Sequence, residues 1–161
     1  NEMSSALKRR FSFETVQPVG DVALEKQIIL DEVGAMARIA GISAPLDDDA
    51  ATLLATTYHE LRQGISAEGI RLKKPAAVMS TAEAVSVYFQ TFLSAWYYGG
   101  PEQVRHLDER ALAENLVGAV AKESREELAA VREYFSTIVQ KKAEQEDGAW
   151  KRFYEAGMRL K

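Results

Sequence analysis

Cysteine is absent from all 161 residues, which excludes a disulfide framework, a thiolate zinc site and a cysteine nucleophile. Histidine is nearly absent as well. His59 and His106 stand alone, with no second ligand at i+3 or i+4 to build a metal site on a helix. Proline (4) and glycine (10) are too few for a low-complexity or collagen-like chain. No window approaches the ~20 apolar residues that a membrane helix needs, and Lys8, Arg9 and Arg10 interrupt any apolar signal-peptide region. Neither sign of charge dominates. With 20 Lys and Arg against 24 Asp and Glu, no global basic field draws nucleic acid or anionic lipid, and any functional cation must act locally. No Gly-x-x-x-x-Gly-Lys-Ser/Thr loop is present to cradle phosphate, and no apolar strand ends in paired acids to hold a nucleotide's magnesium. These residues predict a cytoplasmic protein without a nucleic-acid or membrane partner, and one that does not hydrolyse a nucleotide by itself.

What is present begins with the first sixteen residues, NEMSSALKRRFSFETV. A short helix start (Ser4 to Leu7) runs into Lys8, Arg9 and Arg10, and Phe11 to Val16 alternates like a strand. A lone strand has no partner for its backbone groups, so its sheet is expected from a part of the protein that precedes it. The paired arginines are the candidate chemistry. A guanidinium stays charged and presents a planar fork matched to phosphate oxygens. Supplied to a neighbour's nucleotide, one such residue is worth on the order of 10³–10⁵ in rate. A solvated basic turn is the other reading of the same residues.

The rest of the chain reads as helices. Asp21 can cap a helix over 22–40 whose apolar stripe is Leu24, Ile28, Val33, Met36 and Ile39, ended by Gly41. Asp47, Asp48 and Asp49 suit the start of a second helix, carrying Leu53, Leu54, Tyr58 and Leu61 and stopped by Gly64. Capping explains this triplet better than calcium, because no twelve-residue loop of alternating oxygen ligands follows. Residues 65–79 form a basic, helix-poor connection with Arg71, Lys73 and Lys74. Ser80 and Glu83 then make a capping box for a helix over 81–98, apolar around much of its circumference. Gly99-Gly100-Pro101 is the strongest breaker. Beyond it come a helix over 108–121, another opened by a second capping box at Ser124–Glu127, and a last one after Gly148. The expected fold is mainly α: a bundle of five to six helices with one or two short strands at the N-terminus or in a loop.

The segment Asn1 to Phe11 resembles the stretch of AAA+ ATPases that follows the sensor-1 strand, where a short helix of the type ALxxRF carries the arginine finger. Pro18, Asp21, Leu24 and Glu25 are similar to that family's linker into its helical lid. The flavour is closest to MoxR-like ATPases and their chaperone-type relatives. The resemblance implies three regions: 1–20 as the end of the ATPase core, 21–98 as the lid, and 99–161 as a C-terminal helical extension packed on it. It implies Arg9 or Arg10 as a finger acting in trans, and hence a ring-like homo-oligomer. Arg71, Lys73 and Lys74 become candidate nucleotide-sensing residues, although they precede the third lid helix rather than lying in its first turn. ATP and Mg2+ would be bound, and ATP hydrolysed, only in the full-length protein, to remodel a protein client. The alternative is a free-standing helical interaction module that docks a partner through Trp150, Phe153, Tyr154 and Leu160.

Overall fold

The computed structural model describes residues 19–75, 79–121, 125–145 and 148–159. The expected N-terminal helix and strand, Arg9, Arg10, Ser124 and Leu160 lie outside the described residues. Among the described residues there are six helical rods: α1 (Val22–Ile39), α2 (Asp48–Gln63), α3 (Thr81–Gly99), α4 (Glu109–Ala121), α5 (Arg125–Tyr134) and α6 (Ala149–Gly157). A 3-10 turn, Gln103–Arg105, leads towards α4, and α5 continues through a π-helical turn, Phe135–Val139, into Gln140–Gln145. Among the described residues there is no strand, only an isolated antiparallel bridge between Ile65 and Arg71. None of these helices is long and apolar enough to cross a membrane.

The helix ends follow local chemistry. The Asp21 carboxylate accepts from the Leu24 amide at 3.0 Å. Beyond α1, Ile42 N–H bonds to Ala37 and Gly41 N–H to Arg38, with Gly41 at φ 72°, the paired bonds of a Schellman stop. Asp47 accepts from the amides of Asp49 and Ala50, so it caps α2 as expected. Ser80 and Glu83 form the reciprocal capping box at the start of α3. The π turn has a local cause too. The Ser136 and Thr137 hydroxyls both donate to the Glu133 carbonyl and compete with the backbone for it, while the Gln140 amide reaches back five residues to Phe135.

One apolar core unites the bundle, running from Ile29 and Val33 through Leu54, Tyr58, Tyr88 and Phe92 to Leu112, Ile138 and Phe153. Helix α1 packs on α2 and α3; α4 packs on α3, α5 and α6; α6 reaches back to α2. The expected stripe of α1 is corrected. Leu24 is 54% and Ile39 88% exposed, and the buried row is Glu25, Ile29, Val33 and Ala37, every fourth residue. A carboxylate occupies the first buried position because a cation from α2 meets it there. In the last helix Phe153 is buried and Trp150 and Tyr154 pack against the core, so they close the bundle rather than wait for a partner. Among the described residues the most exposed large apolar side chains are Ile39, Tyr97 and Tyr98.

Candidate functional site

The N-terminal end of α1 is where the chain arrives from residue 18, and it gathers four elements. Arg62, in the last turn of α2, is the centre. Its Nη2 donates to Glu25 Oε2 at 2.6 Å and to the Val19 carbonyl at 3.1 Å. Its Nη1 donates to Glu25 Oε1 at 3.1 Å and to the Met79 carbonyl at 2.8 Å. Thr81, the first residue of α3, adds a hydroxyl bond to Glu25 at 2.9 Å. The Glu25 side chain is fully buried and that of Arg62 is 8% exposed, so neither charge can be left without the other. Tyr58 lies on the same side of α2, one turn before Arg62. Burial, with the carboxylates of Glu83 and Glu25 close by, raises its phenol well above the ordinary tyrosine range. Two buried donors in this cluster, the Tyr58 hydroxyl and Arg62 Nε, have no hydrogen-bond partner among the described residues.

The basic connection follows directly from this end. After Gly64 (φ 68°) the chain folds back on itself: Leu72 N–H bonds to the Gly64 carbonyl and Ser66 N–H to Ile70. Arg71, Lys73 and Lys74 are all exposed on that loop. The Lys74 methylenes cross directly over Gly64, where an added β-carbon would lie 2.6 Å from them, so its ammonium stands near the negative end of the α2 dipole. The three cations thus share one end of the bundle with Arg62 and Val19. His59 is half-buried, its Nδ1 without a hydrogen-bond partner among the described residues, and His106 is exposed. Among the described residues no group of three or more His, Asp or Glu side chains could hold a metal ion.

A second cluster ties the region after Gly99 to the same loop. The Glu60 carboxylate on α2 accepts from the Tyr134 hydroxyl at 2.6 Å and from the Ala67 amide at 2.9 Å. Lys142 Nζ pairs with Glu60 at 3.1 Å and Glu68 at 3.2 Å, and lies 5.2 Å from the centroid of the Trp150 ring. Hydrogen bonds from Ser66 and the backbone, with the nearby Lys142 charge, hold the Glu68 carboxyl below its ordinary value. The basic loop is therefore fixed from two sides, by α2 and by the rod that continues α5. At the far end of α1 and α3 lies an open groove of about 540 Å³ lined by Ala40, Ile42, Leu93, Trp96, Tyr97 and Tyr98.

Arg71, Lys73 and Lys74 were legible as a basic patch, but the pairing of Arg62 with Glu25 was missed. The signal was present: Glu25 stands in register with Ile29, Val33 and Ala37, and a carboxylate on a buried row requires a cation facing it.

Residues 23–161 match the model of the YehL-like AAA+ ATPase C-terminal domain family. The chain is also similar to a protein of Escherichia coli strain K12 bearing the name Uncharacterized protein YehL, at 34% identity over 160 residues. That alignment covers 99% of this chain and 42% of the relative, so the chain spans less than half the length of the protein it resembles. No solved structure matches it.

Proposed function

Because the chain belongs to the family of YehL-like AAA+ ATPase C-terminal domains, we propose that it supplies the lid of an ATP-driven, MoxR-like protein-remodelling ATPase. In this reading residues 21–98 form the lid proper, and 99–161 are an extension locked onto it through Glu60, Tyr134 and Lys142. ATP and Mg2+ bind against the preceding core in the full-length cytoplasmic protein. Lid rotation passes the nucleotide state to a protein client. Arg9 or Arg10 reaches the γ-phosphate held by an adjacent subunit of a ring-like homo-oligomer. Arg71, Lys73 and Lys74 face the nucleotide side and respond to its charge.

One observation carries the reading: the incoming chain at Val19, the buried Arg62–Glu25 pair and the exposed basic loop all lie at one end of the bundle. A lid that closes over phosphate needs its hinge and its cations on the same side. The test is ATP turnover by the full-length protein. Arg10→Ala or Arg9→Ala is expected to lower turnover by about 10³-fold with ATP binding largely kept. Wild-type turnover in both variants removes the finger assignment, and a wild-type protein without ATPase activity removes the reading altogether.

A further inference from the structure

We infer that Arg62 is a positioning residue that sets the angle between this helical domain and the part of the protein that precedes it. The inference rests on the reading of the domain as an ATPase lid. The Val19 carbonyl is the last backbone group before Gly20 and the Asp21 cap, and Val19 is only half-buried. Water would satisfy such a carbonyl. It is held instead by an arginine forty-three residues away, whose own charge is buried against Glu25. The same guanidinium holds the Met79 carbonyl, just ahead of the α3 capping box. One side chain thus fixes the incoming strand of chain, α1, α2 and the start of α3 in a single orientation.

The position of Gly20 completes a joint. It is exposed, and nothing lies within 4 Å of where a side chain would stand. The backbone on one side of it is tied to Arg62 at Val19, and on the other Asp21 caps α1. One unpacked residue between two fixed ones is where a change of angle is absorbed.

Arg62→Lys in the full-length protein is the discriminating variant. It keeps a cation beside Glu25, but a single ammonium cannot reach Glu25, Val19 and Met79 together. Asp47→Asn, which loosens the opposite end of α2, is the stability control. Amide hydrogen exchange at Leu24 and Glu25, whose N–H groups are held by Asp21, is expected to be about tenfold faster in Arg62→Lys than in the control. ATP kcat and KM are expected to shift together by about fivefold or more, as hinge changes do. A merely structural loss lowers the active fraction and leaves KM alone. Control-like exchange, or an unchanged KM with faster exchange, overturns the inference. If the wild-type protein does not hydrolyse ATP, the ATPase reading fails on that result alone, and the clamp stands or falls on exchange.

Discussion

The Asp47 carboxylate accepts a 2.7 Å hydrogen bond from the backbone amide of Leu107, sixty residues further along the chain. Its other oxygen caps α2 through the amides of Asp49 and Ala50. The Tyr88 hydroxyl holds the same residue by its backbone, accepting from the Asp47 amide at 2.6 Å and donating to its carbonyl at 3.0 Å. A helix cap has thereby become the point where the segment after Gly99 is fastened to α2 and α3.

All three groups facing this carboxylate are donors, which makes Asp47→Asn a sharp probe. An asparagine offers one carbonyl oxygen and one NH2, so either rotamer turns a donor towards a donor. The expected loss is about 1–3 kcal/mol, close to that of Asp47→Ala. Denaturant unfolding checks it. An Asp47→Asn protein within about 0.5 kcal/mol of wild type contradicts the geometry.

Tyr134 and Lys142 converge on one buried carboxylate, so their contributions are coupled. Tyr134→Phe removes a hydrogen bond to a charged group and is expected to cost about 2 kcal/mol. For a domain of this size that lowers Tm by about 4–8 °C. Lys142→Met leaves Glu60 without its cation and is expected to cost at least as much. The double variant should fall short of the sum by more than about 0.5 kcal/mol. Strict additivity in thermal or denaturant unfolding shows the two contacts to be independent.

Which features were readable from sequence follows from how far apart their partners lie. The caps at Asp21, Asp47 and Ser80 and the stops at Gly41 and Gly64 were legible because each is completed within a few residues. The buried face of α2, with Leu53, Leu54, Tyr58 and Leu61, was legible because periodicity is local. The α1 face was misplaced because Glu25 is buried by Arg62, thirty-seven residues distant: its register with Ile29, Val33 and Ala37 is local, but the cation that lets a carboxylate join that row is not. The candidate site divides in the same way. Arg71, Lys73 and Lys74 form a run that composition reveals, whereas the clamp on Val19 exists only once α1 and α2 are packed. The π turn was hidden for a different reason. Ser136 and Thr137 are ordinary in a helix until both turn their hydroxyls to one carbonyl.

Gly157 lies against Phe135 with no room for a methyl group. A β-carbon there would stand 2.1 Å from the Phe135 ring, which is itself buried and 4.9 Å from the Phe153 ring centroid. Gly157→Ala therefore forces α6 away from the π turn. The expected cost is about 1–3 kcal/mol, opposite to the usual gain from Gly to Ala in a helix. Phe135→Leu frees the space, so adding Gly157→Ala to that background should cost less than in wild type. Equal penalties in both backgrounds show that the contact is not the cause.

Tyr58, Tyr88 and Tyr134 all have phenols raised well above the ordinary range of about 10, in each case chiefly by burial. Nearby carboxylates add to the shift: Glu83 and Glu25 at Tyr58, Asp47 and Asp48 at Tyr88, and Glu60 at Tyr134. Below pH 10 the phenols are protonated in both folded and unfolded chains, so this contribution to stability is constant. Above pH 10 the unfolded chain releases three protons that the native state keeps. Stability then falls with rising pH, by about 4 kcal/mol per pH unit once all three are ionised in the unfolded chain. The folded protein is expected to withhold three tyrosines from the 295 nm titration and release them together at a cooperative alkaline transition. Tyr134→Phe removes one titrating group and should reduce that slope by about a third. Gradual titration of all six tyrosines without loss of helical circular dichroism would contradict the burial of these rings.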